Sequence, residues 1–321
     1  MQPTLKEIAE TAGVSIRSVT RALKNEAGGN EETCRRVRET ARQLGYIPNI
    51  AARNLRIRRK NFIGLITSTV EITVMQRKTI AMQKRLEADG FYPVSALLPE
   101  TPEQLREIIL NWAGLVDKVV ITTWQPDWNP ETVLDGLPMQ FIFVDCAPIQ
   151  PARRFATVCI DRTFGIQCGI EYLIRTGRKK IAYCGSPMSD RLDGFRNAFI
   201  RMRRECAPDF FLETAMMDMS DGFNAGELLL QRNFDAVFFG TDRMALGFLK
   251  YCYVHTLAVP ERMAVIGFDD DPASLYSCPS LSTVAQPIDA ISVKIAELAA
   301  REDFVPVVET LPTQFVVRES V

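Results

Sequence analysis

Residues 4–23 read TLKEIAETAGVSIRSVTRAL. Thr4 and Glu7 stand three apart ahead of an apolar stripe, so hydroxyl and carboxylate can each cap the other's backbone N–H and fix a helix start. Leu5, Ile8, Ala9 and Ala12 then recur at i, i+3, i+4 and i+7, one face of a helix. Gly13 breaks that helix, and Ser15 supplies the short hydroxyl that caps a second one through Leu23. At about 100° per residue Val19, Ala22 and Leu23 share a face. Arg17, Thr20 and Arg21 share the opposite face, with Ile16 at its edge. The apolar face can pack on the first helix. The other presents two guanidinium forks, the groups that bond guanine O6 and N7 in a major groove.

Working outward, Asn30 caps a third helix over Glu31–Leu44, with Val37, Ala41 and Leu44 inward and Gly45 as its stop. Tyr46-Ile47-Pro48-Asn49 connects to a short helix over Ile50–Ile57, and a basic run, Arg56–Lys60, leads out. Ala51, Ala52 and Leu55 share one side of that short helix, with Arg53 and Arg56 flanking them. An eight-residue helix is marginal alone. The 321 residues carry a formal charge of only −1. That sum hides a split: residues 1–60 hold thirteen Lys and Arg against six Glu, or +7. Of the 38 and 39 charges in all, the rest carries 25 against 33, or −8. A basic head on an acidic body points to a polyanion partner for one end only.

From Asn61 short β-branched runs alternate with helical stretches such as Pro102–Trp112 and Phe164–Arg175. Expected strands are Phe62–Thr67, Tyr92–Leu97, Lys118–Thr122, Gln140–Asp145, Thr157–Asp161, Lys180–Cys184, Ala236–Gly240 and Ala264–Phe268. Such alternation argues for buried parallel sheets. The pattern restarts near residue 161, which predicts two α/β lobes with a cleft between them. Strand ends carry Thr67 and Ser68, Thr122, Thr123 and Trp124, Asp145, Asp161, and Thr241-Asp242. Carboxylates, hydroxyls and a nearby indole suit a polar, multi-hydroxyl ligand.

TLKEIAETAGVSIRSVTRAL and NEETCRRVRETARQLGYIPNIAARNL together resemble the opening helices and hinge of the lactose/galactose repressor (LacI/GalR) family. GRKKIAYCGSP, DRLDGFRNAF, DAVFFGTDRMALGFL, MAVIGFDDDPASLYSCPSLSTVAQPI and LPTQFVVRES extend the likeness into the body. The resemblance implies an all-α helix-turn-helix domain over 1–48, a hinge helix and linker over 49–60, and a two-lobe periplasmic-binding-protein-like domain over 61–321. Lobe one would be about 61–160 plus 287–304, and lobe two about 161–286 plus 305–321. It implies a homodimer on a palindromic double-stranded operator, a small-molecule effector in the cleft, and regulation of transcription. Ile16, Arg17 and Arg21 would read bases. Thr4, Ser15, Thr20 and Tyr46 join them at the DNA. Leu55 would wedge a minor-groove step beside Ala52, Arg53 and Arg56. Arg191 and Asp242 match the family's main effector-binding Arg and Asp. Ser68, Thr122, Trp124, Asp161 and Met219 complete the candidate pocket.

The pocket departs from the family pattern. Ser68–Val74 lacks the usual aromatics, the stretch before Arg191 is short, and Met219 stands where an aromatic often stacks. Asp145-Cys146 replaces Asp-Arg, and Thr241 replaces Asn. In the head, Lys24 replaces an Asn. A sugar or sugar derivative is the implied effector class, with loss of effector binding as the other reading. A transport-type binding protein fits poorly with the basic head and the leaderless start MQPTLKEIAE, which lead us to expect the cytoplasm. No apolar run nears the roughly 18 residues of a membrane span. The eight scattered Cys read as small buried hydrophobes, and a single His leaves little for acid–base or metal chemistry. Neither a G-x-S-x-G, a P-loop nor a GxGxxG is present. The expectation is therefore no enzyme, no cofactor and no metal, with turn chemistry explaining Asp269-Asp270-Asp271.

Overall fold

The computed structural model describes residues 3–23, 30–46, 61–68, 73–150, 154–187, 190–206, 210–214 and 217–321. Two compact units are present, Met1–Lys60 and Asn61–Val321. The expected hinge helix, with Ala52, Arg53, Leu55 and Arg56, lies outside the described residues, as does Lys24.

In the first unit three helices, α1 (Leu5–Ala12), α2 (Ile16–Leu23) and α3 (Glu31–Gln43), close on a small core. The capping box forms: the Thr4 N–H donates to Glu7 Oε2 at 2.6 Å, and the Glu7 N–H donates to Thr4 Oγ1 at 3.3 Å. Gly13 turns the chain at φ 64°, a left-handed conformation that glycine adopts without a Cβ clash. The Ser18 N–H donates to Ser15 Oγ at 3.1 Å, which starts α2. Ile8, Ala9, Ala12, Val19, Ala22, Val37 and Ala41 fill the core. Leu44 was expected inward, but it caps α3 with 38% of its surface exposed. The helix ends one residue early, and Tyr46 takes the place against the core.

The second unit alternates strands and helices: β1 (Phe62–Thr67), α4 (Thr73–Ala88), β2 (Tyr92–Leu97), α5 (Pro102–Asn111), β3 (Val116–Thr122), α6 (Pro130–Val133), β4 (Gln140–Val144) and β5 (Phe155–Asp161). Then come α7 (Arg162–Arg175), β6 (Ile181–Gly185), α8 (Asp190–Arg201), β7 (Phe211–Glu213), α9 (Met219–Gln231), β8 (Ala236–Phe239), α10 (Asp242–Val254) and β9 (Ala264–Phe268). The chain closes with α11 (Pro272–Tyr276), β10 (Ser282–Ala285), α12 (Ile288–Ala300), β11 (Val308–Pro312) and β12 (Gln314–Val316). One sheet runs β11-β5-β4-β3-β1-β2 and the other β12-β10-β9-β8-β6-β7. All neighbours pair in parallel except β10 with β12. Each sheet is the base of one lobe, with apolar clusters on both faces. That explains why the central strands read as unbroken Val, Ile and Phe runs.

Four strands were not expected: β7, β10, β11 and β12. The assignment of all of 305–321 to the second lobe needs correcting as well, because β11 pairs with β5 and completes the first sheet. The chain passes between lobes after Asp161, after Ala285 and at Thr313. The Thr313 hydroxyl donates to the Asp161 carbonyl at 2.7 Å and accepts the Gly165 N–H at 3.0 Å, which ties two of these crossings together. Strand order reverses between β1 and β3 and again between β6 and β8. Open α/β sheets form their ligand crevice at the carboxyl ends of such points.

In lobe two α9 and α10 touch backbone to backbone. A Cβ at Gly222 would sit 1.8 Å from the Met244 carbonyl oxygen. Gly222→Ala must therefore push the helices apart. Overpacking of this kind costs about 1–3 kcal/mol, occasionally more. Urea denaturation should show a lower midpoint for this variant, and an unchanged midpoint would contradict the close contact.

Candidate functional site

The head presents one polar face. Ser15 and Arg17 are exposed and Ile16 keeps 47% of its surface free, while Val19 and Ala22 behind them are buried. This is the expected division of α2. The Thr20 hydroxyl donates back to the Ile16 carbonyl at 2.9 Å, so it is held within the helix. Arg21 is half-buried. Tyr46 packs its ring on the head core. Thr4 is occupied as the cap of α1. Arg38 Nε donates to the Ala22 carbonyl at 3.3 Å and anchors the end of α2 to α3.

In the body, Asp145 and Arg191, both marked by the sequence, converge where the lobes meet with Lys78, Arg162 and Arg77, which it did not mark. Asp145 follows β4 with φ 58°, and its carboxylate is gripped by Lys78 from α4 and by Arg162 from the start of α7. Arg162 also reaches Asp190 at 3.0 Å. Asp269 follows β9 with φ 114°. It faces Arg191 of α8 at 3.7 Å and accepts from Gln286 Nε2 at 2.6 Å. Arg191 lies over the Phe268 ring at 4.4 Å and donates to the Gly240 carbonyl. Arg77 of α4 donates to the backbone carbonyls of Asp269 and Asp270, across the lobe boundary. Burial works to raise the Asp145 carboxyl, but Lys78 and Arg162 hold it below the ordinary range. Burial pulls Lys78 down, with Asp145 opposing. Burial pushes the Asp269 carboxyl up, with Arg191 opposing.

The strand order makes β4 and β9 equivalent, each the second strand beyond its lobe's reversal. Asp145 and Asp269 are therefore counterparts, both turned into the junction by a left-handed residue. The readable signal was an Asp after each of the matching runs FIFV and VIGF.

Arg191 and Asp242, the two expected effector contacts, do not meet: Arg191 faces Asp269. Asp242 is 1% exposed at the first turn of α10, and Thr241 is the cap. Its carboxylate accepts from the Thr283 hydroxyl at 2.5 Å, the Ser274 hydroxyl at 2.8 Å and the Asp271 N–H at 2.6 Å. Burial nevertheless pushes its carboxyl up to about 7. It binds lobe two together, and the carboxylate facing Arg191 is Asp269. Asp161 is a cap too, accepting the Phe164 N–H at 3.0 Å. Thr122 is buried, with its hydroxyl on the Ile66 carbonyl at 3.4 Å. Ser68 is half-buried beyond β1, and Met219 is half-exposed at the start of α9. Trp124 is a core residue: its indole donates to the Trp128 carbonyl at 2.8 Å and stands edge-on to Phe143. It lines a cavity of about 530 Å³ with Trp128, Cys146 and Phe155. No lobe-two residue lines that cavity, so it is not the cleft.

The acidic run needs no metal. Asp269 works with Arg191 and Gln286, Asp270 pairs with Arg318, and Asp271 caps α11. Cys159, Cys184 and Cys252 are buried, but Cys278 is exposed, unlike the expectation for all eight.

Residues 4–49 match the family of bacterial regulatory proteins, lacI family, and residues 170–321 match the periplasmic binding protein-like domain. The chain is 27% identical to the HTH-type transcriptional regulator GntR of Pseudomonas aeruginosa, over 92% of this chain and 88% of that one. It is 28% identical to the probable HTH-type transcriptional repressor ExuR of Bacillus subtilis, over 99% and 98%. Among solved structures it superposes on the Lac repressor bound to ONPG in its repressed state, with TM-score 0.85, 22% identity and full coverage of both chains. The complex of the transcriptional regulator CelR with cellobiose gives TM-score 0.70 at 26% identity, again with full coverage. A helix-turn-helix head on a two-lobed parallel-sheet body defines a DNA-binding transcriptional regulator. The family matched by the head is one of bacterial regulatory proteins, and both relatives named above are transcriptional regulators. Among its described residues no helix is long and apolar enough to cross a membrane.

Asp242→Ala would leave one buried N–H and two hydroxyls without their acceptor, at about 1–3 kcal/mol for each unsatisfied group. Thermal unfolding should show a marked loss of stability, with Asp242→Asn much closer to the parent. A parent-like melt for Asp242→Ala would return Asp242 to the list of ligand contacts.

Proposed function

We propose that the protein is a cytoplasmic repressor that binds a palindromic operator as a homodimer and releases or tightens it in response to a small polar metabolite, a sugar or sugar derivative. The observation that carries this reading is the exposed Ile16–Arg17 edge of α2 on a compact basic head, joined to a body whose lobes meet on charged side chains. Two heads occupy successive major grooves. Arg17 and Arg21 contact base edges, and Ser15 stands by the backbone. Leu55 enters the minor groove between Arg53 and Arg56. The acidic body is repelled by the duplex, which confines contact to the head and hinge. The metabolite binds between the lobes, with Arg191 and Asp269 as its contacts in lobe two. Its unequal affinity for two lobe arrangements shifts hinge pairing and so operator affinity.

Footprinting of genomic fragments with the purified protein tests this reading. A protected palindrome is expected, with affinity falling as salt rises while site preference persists. Arg17→Ala should lose about 1–3 kcal/mol of discrimination at one base step and little affinity for unrelated DNA. Binding that is uniform over all sequences and erased by salt would contradict the proposal.

A further inference from the structure

Lobe one holds a cavity of its own, lined only by residues between Trp124 and Phe155. Its volume of about 530 Å³ suits one small molecule, since ligand pockets span roughly 300–1,000 Å³. The base is aromatic: Trp124 and Phe155 are buried and Trp128 is half-buried. These rings fix one another. The Trp124 indole donates to the Trp128 carbonyl at 2.8 Å, and the two rings stand edge-on with centroids 5.7 Å apart. Phe143 stands edge-on to both Trp124 and Phe155. Walls ordered in advance leave little reorganisation for a ligand to impose.

Three prolines, Pro126, Pro130 and Pro148, continue the wall. Proline has no N–H, and the Trp124 indole N–H is already given to Trp128. An anion finds no donor in any of these four groups. Charge points the same way. Asp127 and Glu131 stand exposed at the mouth, and among the described residues no Lys or Arg lines the cavity. Arg154, next to Phe155 in the chain, donates instead to the carbonyls of Leu134 and Leu137. An indole face attracts an organic cation, the more so where water is excluded. Two nearby carboxylates add an attraction that a neutral ligand does not feel.

We infer that lobe one carries a second ligand site, for a small aromatic amine in its protonated form. The ring of the amine packs toward Trp124 and Phe155, and its ammonium lies at the mouth beside Trp128, Asp127 and Glu131. None of the charged residues of the lobe junction lines this cavity, so the site is separate from the place given to the metabolite.

Calorimetry on the full chain at neutral pH tests this with phenethylamine, 2-phenylethanol and phenylacetate, which share a ring and differ in charge. The amine should bind at one site per chain, about tenfold or more tighter than the alcohol, with the acid weaker still. Asp127→Asn combined with Glu131→Gln, both exposed positions, should abolish the advantage of the amine and leave the alcohol as it was. Trp128→Leu should weaken amine and alcohol alike. If Trp128→Leu unfolds, tryptophan fluorescence of the parent replaces it, and should change on adding the amine and saturate over the calorimetric range. An alcohol that binds as tightly as the amine would overturn the inference, and so would the absence of saturable amine binding. An amine whose affinity survives the double rim variant but is lost in Asp269→Asn sits at the lobe junction instead, and overturns it too.

Discussion

The buried carboxylate of Asp145 takes an ion pair from each lobe. Lys78 approaches it from within lobe one and Arg162 from the first residue of the opposite lobe. Burying three charges is expensive, and it is tolerated only where each is paired and hydrogen-bonded. Removing one partner of such a group typically costs 3–5 kcal/mol, because the others are left uncompensated. Arg77 crosses the same boundary to the carbonyls after β9, and Arg191 is held beside Asp269 and the Phe268 ring. Under the proposed effector control, the Asp145–Arg162 pair is also the contact that a rearrangement of the lobes has to break or remake.

The fold accounts for where this constraint sits. Both lobes repeat one strand order, and both reverse it at the same place. The fourth strand of each lobe, β4 and β9, is followed by an aspartate with positive φ, Asp145 and Asp269. Two such ends face each other across three chain crossings, so charge accumulates at the junction by construction. Cations then come from the nearest helices of both lobes: α4, α7 and α8. The site is thus a product of duplicated topology, and lobe two differs by using its other buried carboxylate, Asp242, for internal support.

Much of this was legible before any coordinates. The head was written in local signals, Thr4 with Glu7, Gly13, Ser15 and Asn30, which act within a few residues and need no tertiary context. Central strands were legible because burial on both faces demands unbroken apolar runs. What escaped depends on distant partners. β7 and β12 are three residues long, and β11 alternates exposed and half-buried positions. Asp242 and Asp269 look alike as acids at strand ends, and only Ser274, Thr283 and Arg191 decide which is internal support and which faces the cleft. Trp124 read as a ligand platform because it follows a strand, but Phe143 and Trp128 enclose it. Lys78 gave no signal at all, since nothing local marks a buried lysine in a helix.

The ion pair between Asp145 and Arg162 crosses the lobe boundary and couples the two halves of the body. A double-mutant cycle on Asp145→Asn and Arg162→Gln, read by urea denaturation of the full chain, measures it directly. An interaction energy of about 1–3 kcal/mol is expected, well outside the ~0.5 kcal/mol scatter of independent sites. Two single effects that simply add would contradict it.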